Sequence, residues 1–278
     1  MLSGFDHVTI VARDLEAAVA SYSRLFGRAP DWHGEHPELG THAALFGLQN
    51  SWIELVAPDR SAPEAEAMRA RIEASGEGLQ ALAFLTDDAA RCSATLRERG
   101  LRATPPQPGE ARGADGRLRT YRTVELSARA TRGLSVFAVE RRDANALPQP
   151  PVAADELASA LDHVVIRTAD PDAAIALYGG ALGLRLALDR GLAGTRMLFF
   201  RIGGVTVEFV HDASCGQDVL WGLAYRVRDI DAARARLSAN GFSVSDVRPG
   251  KKPQTRVFTL RDGTCGVPTL ILRDPARE

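Results

Sequence analysis

Two histidines and two glutamates stand out because each pair recurs among the same neighbours: His7 with Glu54, and His163 with Glu208. His7 lies in an alternating, β-branched run, Gly4-Phe5-Asp6-His7-Val8-Thr9-Ile10-Val11, and His163 lies in its echo, Leu161-Asp162-His163-Val164-Val165-Ile166. If Val8, Ile10 and Ala12 face a helix, strand alternation leaves His7, Thr9 and Val11 on the other side. The same counting along Ser51 to Val56 puts Ile53 and Leu55 on the helix side, so Glu54 projects from the face that carries His7, with Trp52 and Val56 beside it. An ionised glutamate between apolar neighbours is costly to bury unless a cation or hydrogen-bond donors compensate it. Here that demand is written twice.

The elements that must hold these residues are repeated too. A 156-residue offset runs from His7/His163 through Tyr22/Tyr178 to Gly27/Gly183, and Glu54 and Glu208 each lie 14 residues after a matching glycine, Gly40 and Gly194. A second pair of units opens at Leu79 to Asp88 and Leu220 to Asp229, at an offset of 141 that holds at Gly100/Gly241 and Pro108-Gly109/Pro249-Gly250. Each unit runs from a strand into an aspartate able to cap a helix, at Asp14, Asp88, Asp170 and Asp229, and Pro171 follows Asp170 where a missing amide costs nothing. The chain therefore reads as four copies of strand, helix and three strands, in the order A, B, A′, B′. Segment Pro30 to Glu38 reads as irregular, Ser61 to Ser75 as an inserted surface helix, and Pro108 to Gly116 as a polar, glycine-rich loop. In units B and B′, Ala81 and Gly222 stand where the histidines stood, and Phe137 and a residue near Leu270 stand near the glutamate positions.

Prolines at 148, 150 and 151 favour an extended spacer. The expected domains are 1–144, with units 1–60 and 78–142, and 156–278, with units 158–213 and 218–274, joined by a linker at 145–155. The 278 residues, 45% hydrophobic, suffice for two cores, and a net charge of −1 without basic-aromatic stretches argues against nucleic acid as a partner. No apolar run approaches the roughly 18 residues of a membrane span, and the N-terminus carries no signal pattern, so the expectation is a cytoplasmic protein, a monomer or homodimer, with a small-molecule substrate. Cys92, Cys215 and Cys265 are scattered and are expected as reduced thiols.

The opening Asp-His-Val-Thr-Ile and Asp-His-Val-Val-Ile strands, the aspartate-capped helices ending in glycine, and the strands Trp-Ile-Glu-Leu-Val and Val-Thr-Val-Glu-Phe-Val resemble the vicinal oxygen chelate superfamily of glyoxalases, extradiol dioxygenases and bleomycin-resistance proteins. The resemblance covers nearly the whole chain. It implies an α+β fold of four βαβββ units in two tandem glyoxalase-like domains, with curved mixed sheets forming cups and helices outside. It further implies that His7, Glu54, His163 and Glu208 match metal-ligand positions, suited to Fe, Mn, Ni or Zn, and that Glu54 and Glu208 are candidate proton acceptors. The activity so implied is that of a metal-dependent lyase, isomerase or oxygenase acting on vicinal oxygens; the alternative is a metal-free sequestering protein. The departure from the family's pattern is that units B and B′ offer no ligands, so only a pairing of A with A′ would gather all four in one site.

His42 is expected in a structural role, and His33, His36 and His211 in solvated loops. Trp52 and Trp221 are candidates to line the cups. Counting by twos in the second half brings Arg167, Arg201 and Arg226 to the face of His163. Either they recognise an anionic ligand there, with an apolar ligand or none in the first cup, or they extend from strand ends into water or pair with Glu208 in place of a metal.

Overall fold

The structure is a computed structural model that describes residues 1–142, 147, 152–192 and 194–277. Unit A comprises β1 (Leu2–Val11), α1 (Leu15–Phe26), β2 (Trp32–His36), β3 (Thr41–Leu48) and β4 (Ser51–Pro58). After the inserted helix α2 (Glu66–Ser75), unit B follows as β5 (Gly78–Thr86), α3 (Ala89–Glu98), β6 (Gln107–Gly113), β7 (Leu118–Glu125) and β8 (Ser135–Arg141). Unit A′ holds β9 (Ala160–Thr168), α4 (Pro171–Ala174, continued by a π-helical turn, Ile175–Ala181), β10 (Arg185–Leu192), β11 (Thr195–Ile202) and β12 (Val205–His211). Unit B′ holds β13 (Val219–Arg226), α5 (Ile230–Ala239), β14 (Arg248–Pro249), β15 (Arg256–Leu260) and β16 (Thr269–Arg273). Of the expected linker, all but Leu147 and residues 152–155 lies outside the described residues.

All four aspartates cap as the sequence predicts: Asp14, Asp88, Asp170 and Asp229 each accept from backbone amides of the first helical turn. Gly27 ends α1 in the left-handed region, at φ 69°, where a side chain would be strained. Tyr22 and Tyr178, matched by the repeat, are both fully buried on the helix side of their sheets.

Unit A pairs with B, and A′ with B′. In the first domain the strand order β1-β4-β3-β2-β6-β7-β8-β5 closes into a barrel; in the second, β10-β11-β12-β9-β13-β16-β15-β14 stays open. Closure of the first depends on two segments that read from sequence as an irregular stretch and a loop, and the structure corrects both. Segment 32–36 is β2 and segment 107–113 is β6, and they pair through Gly34 with Gly113 and Glu35 with Arg112. Neither has the apolar alternation of a strand, because each takes its order from the partner across the seam. The seam needs glycine: a Cβ on Gly34 would lie 2.2 Å from the Arg112 carbonyl oxygen and 2.5 Å from the Trp32 ring. In the second domain β14 has only two residues, one of them Pro249, which lacks an amide, and β10 remains an edge.

The helices lie on the convex faces, where the two domains also meet. Phe26 of α1 packs edge-on against Tyr225 of β13 at 5.4 Å, and the Asn50 side chain bonds both the amide and carbonyl of Leu161. Arg236 of α5 donates to the last carbonyls of α1, at Arg24 and Leu25, and Arg99 after α3 donates to Ala181 at the end of the π-helical turn.

We expect Gly34→Ala to lower stability by about 1–3 kcal/mol in urea denaturation, since the added methyl has no room at the seam. Gly180→Ala, whose new methyl meets nothing within 4 Å, serves as the baseline and should change stability little.

Candidate active site

The first cup is organised around Glu54. Strands β1 and β4 are parallel, with His7 opposite Trp52 and Thr9 opposite Glu54, so His7 and Glu54 are diagonal neighbours on the concave face. His7 Nε2 stands 3.4 Å from Glu54 Oε2, which also accepts from the Thr9 hydroxyl at 2.9 Å. The other carboxylate oxygen, Oε1, lies 3.5 Å from His36 Nε2. Each imidazole is held from behind: His7 Nδ1 is 2.6 Å from Asp6 Oδ2, and His36 Nδ1 is 3.1 Å from the Tyr121 hydroxyl. Arg141 in turn donates to the second oxygen of Asp6 at 2.8 Å and lies over the Trp52 ring.

Only 12% of the Glu54 side chain is exposed, and burial alone would raise its pKa. The charge of His7, the partnership of His36 and the Thr9 hydroxyl overcome that and hold it at about 2. Asp6, buried beside His7 and Arg141, is likewise held below the ordinary carboxylate range despite its desolvation. Tyr121 is pushed up to about 12 by burial and by Glu54, so it is a neutral phenol at physiological pH. A neutral imidazole between two ionised carboxylates has one hydrogen to offer. His7 therefore satisfies Asp6 and Glu54 together only as an imidazolium, or with a cation on its Nε2 side.

The structure corrects the expectation for His36. It is 8% exposed, lies at the end of a strand and belongs to the site. Asp6, Arg119, Tyr121 and Arg141 were also not anticipated. Two signals for them were present: an aspartate precedes both His7 and His163, and Arg119, Tyr121, Thr123 and Glu125 alternate along β7 toward the cavity. The lining of the first cup is charged, whereas the parity count pointed to an apolar ligand or none there. Arg119 stacks over Trp32 at 4.7 Å, and one of its guanidinium nitrogens, Nη1, is buried without a hydrogen-bond partner. Among the described residues, five carboxylates (Asp6, Glu38, Glu54, Glu110, Glu125) and two arginines line this cavity of about 460 Å³. Trp52 is buried in the barrel, packed with Trp32 and Leu45.

In the second cup, His163 Nδ1 lies 2.9 Å from Asp162 and its Nε2 lies 3.8 Å from Glu208. The diagonal is the same: His163 pairs with Thr206, and Glu208 lies two residues on. Val165 stands opposite Glu208 where Thr9 stands opposite Glu54. Leu192 is paired to Thr195 as His36 is paired to Thr41. Of the substrate-binding candidates, Arg201 and Trp221 line the cavity. Arg226 reaches Asp162 at 3.8 Å, and Arg167 lies over the Trp221 ring at the strand end and reaches Asp212 at 3.4 Å. His42 pairs with Asp59 at 3.4 Å and His33 with Glu16 at 3.6 Å, both near the surface.

The four candidate metal ligands thus fall into two separate cups. In donor type the first cup fits a divalent transition metal, with two imidazoles, each anchored at Nδ1, and one carboxylate. His7 and His36 face different oxygens of Glu54, however, and among the described residues no three His, Cys, Asp or Glu side chains converge on one ion position. Of the four candidate ligands the second cup holds His163 and Glu208, and among the described residues no third such side chain converges with them.

Tandem βαβββ domains, each with a histidine and a glutamate on the first and fourth strands of a concave sheet, define the vicinal oxygen chelate class. The family model described as a glyoxalase-like domain matches residues 5–179, and that of the glyoxalase, bleomycin resistance protein and dioxygenase superfamily matches residues 162–259. The chain belongs to the glyoxalase-like family. A variant of 4-hydroxymandelate synthase from Streptomyces coelicolor shares the fold at a TM-score of 0.71 and 16% identity, over 98% of this chain and 92% of that one. The Mn(II)-bound glyoxalase from Novosphingobium aromaticivorans gives 0.66 and 14%, over 98% and 82%. A hypothetical protein from Staphylococcus aureus gives 0.68 and 9%, over 99% and 100%. No curated protein matches the chain in sequence. Among the described residues no helix is long and apolar enough to cross a membrane.

A test of the Glu54 environment follows from its sign. A carboxyl held below its unfolded value of 4.5 stabilises the fold above that pH and loses the contribution as pH falls toward 2. The stability gap between wild type and Glu54→Gln should therefore narrow by about 3 kcal/mol between pH 5 and pH 2, read by urea denaturation across pH.

Proposed function

We propose that the first cup is the catalytic centre of a small-molecule enzyme, a lyase, isomerase or oxygenase, that works on vicinal oxygens with a divalent metal held by His7, His36 and Glu54. The observation that carries this reading is the largely buried, ionised Glu54 between two anchored imidazoles, in a cavity where, among the described residues, carboxylates outnumber arginines five to two. Such a cavity attracts a cation. A carboxylate held at about 2 is a weak proton acceptor near neutral pH, so Glu54 suits the role of cation anchor better than that of general base. When bound, the ion would supply Lewis-acid polarisation of a substrate oxygen.

The chain's own residues then divide the remaining work. Arg119, with a buried nitrogen lacking a partner, can donate to a substrate oxygen as negative charge develops on it. Tyr121, a neutral phenol at the same wall, can donate a hydrogen bond or a proton to that oxygen. Asp6, itself tied by Arg141, keeps His7 Nδ1 protonated and turns Nε2 toward the cup. Phe137, edge-on to His7 at 5.6 Å, packs against one side of the ring.

The second reading is a metal-free binding protein. It is favoured by the lack of convergence of the three donors and by an imidazolium at His7 satisfying both carboxylates. Elemental analysis after incubation with Mn(II), Fe(II), Ni(II) or Zn(II) and desalting separates the two. We expect close to one equivalent of one metal in the wild type, and at least a tenfold loss of affinity in His36→Ala and Glu54→Gln variants whose circular dichroism is unchanged. Sub-stoichiometric metal in the wild type under all four conditions would leave the sequestering reading.

A further inference from the structure

The second cup carries charge of the opposite sign. Among the described residues its cavity of about 550 Å³ is lined by five cations and three carboxylates. The carboxylates are already engaged: Asp274 with Lys252 at 2.5 Å, Glu208 with His163 at 3.8 Å, and Asp162 with both His163 and Arg226. Arg190, Arg248 and Lys251 line the cavity and form no ion pair with described residues. The rest of the lining includes Val165, Met197, Phe199 and Leu223, Met197 being the cross-strand neighbour of Arg190, together with Trp221, which is 42% exposed. Both lysines of the chain, Lys251 and Lys252, lie on this one cavity.

We propose that the second cup is a separate ligand site for an amphipathic organic anion, its oxyanion head among Arg190, Arg248 and Lys251 and its apolar body on Phe199, Met197 and Trp221. The inference is independent of the metal reading of the first cup, because the two cavities share no lining residue. Size agrees: about 550 Å³ is in the range of pockets that enclose a small organic molecule. So does the contrast between the cups. The position that holds His36 in the first cup holds Leu192 in the second, and Trp52, which fills the first barrel, is replaced by Thr206, which leaves room above His163. Unpaired cations at a half-open mouth pull an anion in, and apolar area discriminates among anions once it has arrived.

Isothermal titration with 4-phenylbutyrate, phenyl phosphate and the neutral 4-phenylbutanol at low salt tests this, on wild type, on a double variant Arg248→Ala/Lys251→Ala, and on Arg119→Ala. The rim positions are exposed, so the double variant should fold. We expect at least one of the two anions to bind at least about tenfold more tightly than the alcohol, with affinity falling as salt rises. The double variant should weaken that anion at least about fivefold, and Arg119→Ala should leave it unchanged. Carboxylate and phosphate arms distinguish the two forms of head group, and tight binding of either supports the site. Equal affinity for the alcohol, no saturable binding of either anion, or loss of binding in Arg119→Ala with retention in the double variant would each overturn it.

Discussion

Both cups depend on one constraint, the parallel register between the first and fourth strands of units A and A′. In each domain a histidine on the first strand sits one diagonal step from a glutamate on the fourth, through His7 opposite Trp52 and His163 opposite Thr206. Side chains opposite each other in a sheet share a face, and a slip of one residue would turn every one of them over. What prevents the slip is the convex side: Ile53, Leu55, Val207 and Phe209 are fully buried there against helices. The apolar core therefore holds the polar site together.

Around that shared diagonal the two cups have become different environments through a few positions. Thr9 gives Glu54 a hydrogen bond that Val165 cannot give Glu208. His36 adds a second imidazole in the first cup, where the second has Leu192. Strands β6 and β7 bring Glu110, Glu125, Arg119 and Tyr121 to the first cavity, while the corresponding stretch of the second domain brings Arg248, Lys251 and Lys252. The first barrel closes through a glycine seam and the second sheet does not. Duplication preserved the register and left the linings free to diverge, because lining side chains project into a cavity and do not pack against the core.

The domains meet through their convex sides, with the aromatic contact of Phe26 and Tyr225 and the arginine contacts to helix ends at its heart. Assembly by the backs of the sheets leaves both concave faces available to ligands. Within each sheet the two units join through their first strands: β1 and β5 lie side by side in antiparallel register, as β9 and β13 do. The arrangement that would have gathered all four candidate ligands needs β1 beside β9, and those strands belong to different sheets.

By itself the sequence determined the four βαβββ units, their four aspartate caps and the sharing of a face by His7 with Glu54 and by His163 with Glu208. All of these are local: capping acts within one turn of a helix, and alternation is a property of one strand, so neither needs knowledge of a distant partner. The membership of His36 in the site, the strand character of segments 32–36 and 107–113, and the convergence of the half-buried Arg119 and Tyr121 on that site were decided only by the tertiary structure. Gly34 faces Gly113 across 79 residues, His36 meets Glu54 across a closed barrel, and Tyr121 reaches His36 from the other unit. Contacts of that kind carry no periodicity of their own. The sign of each cavity was decided the same way, since it is a sum over side chains that converge only when the sheet curves.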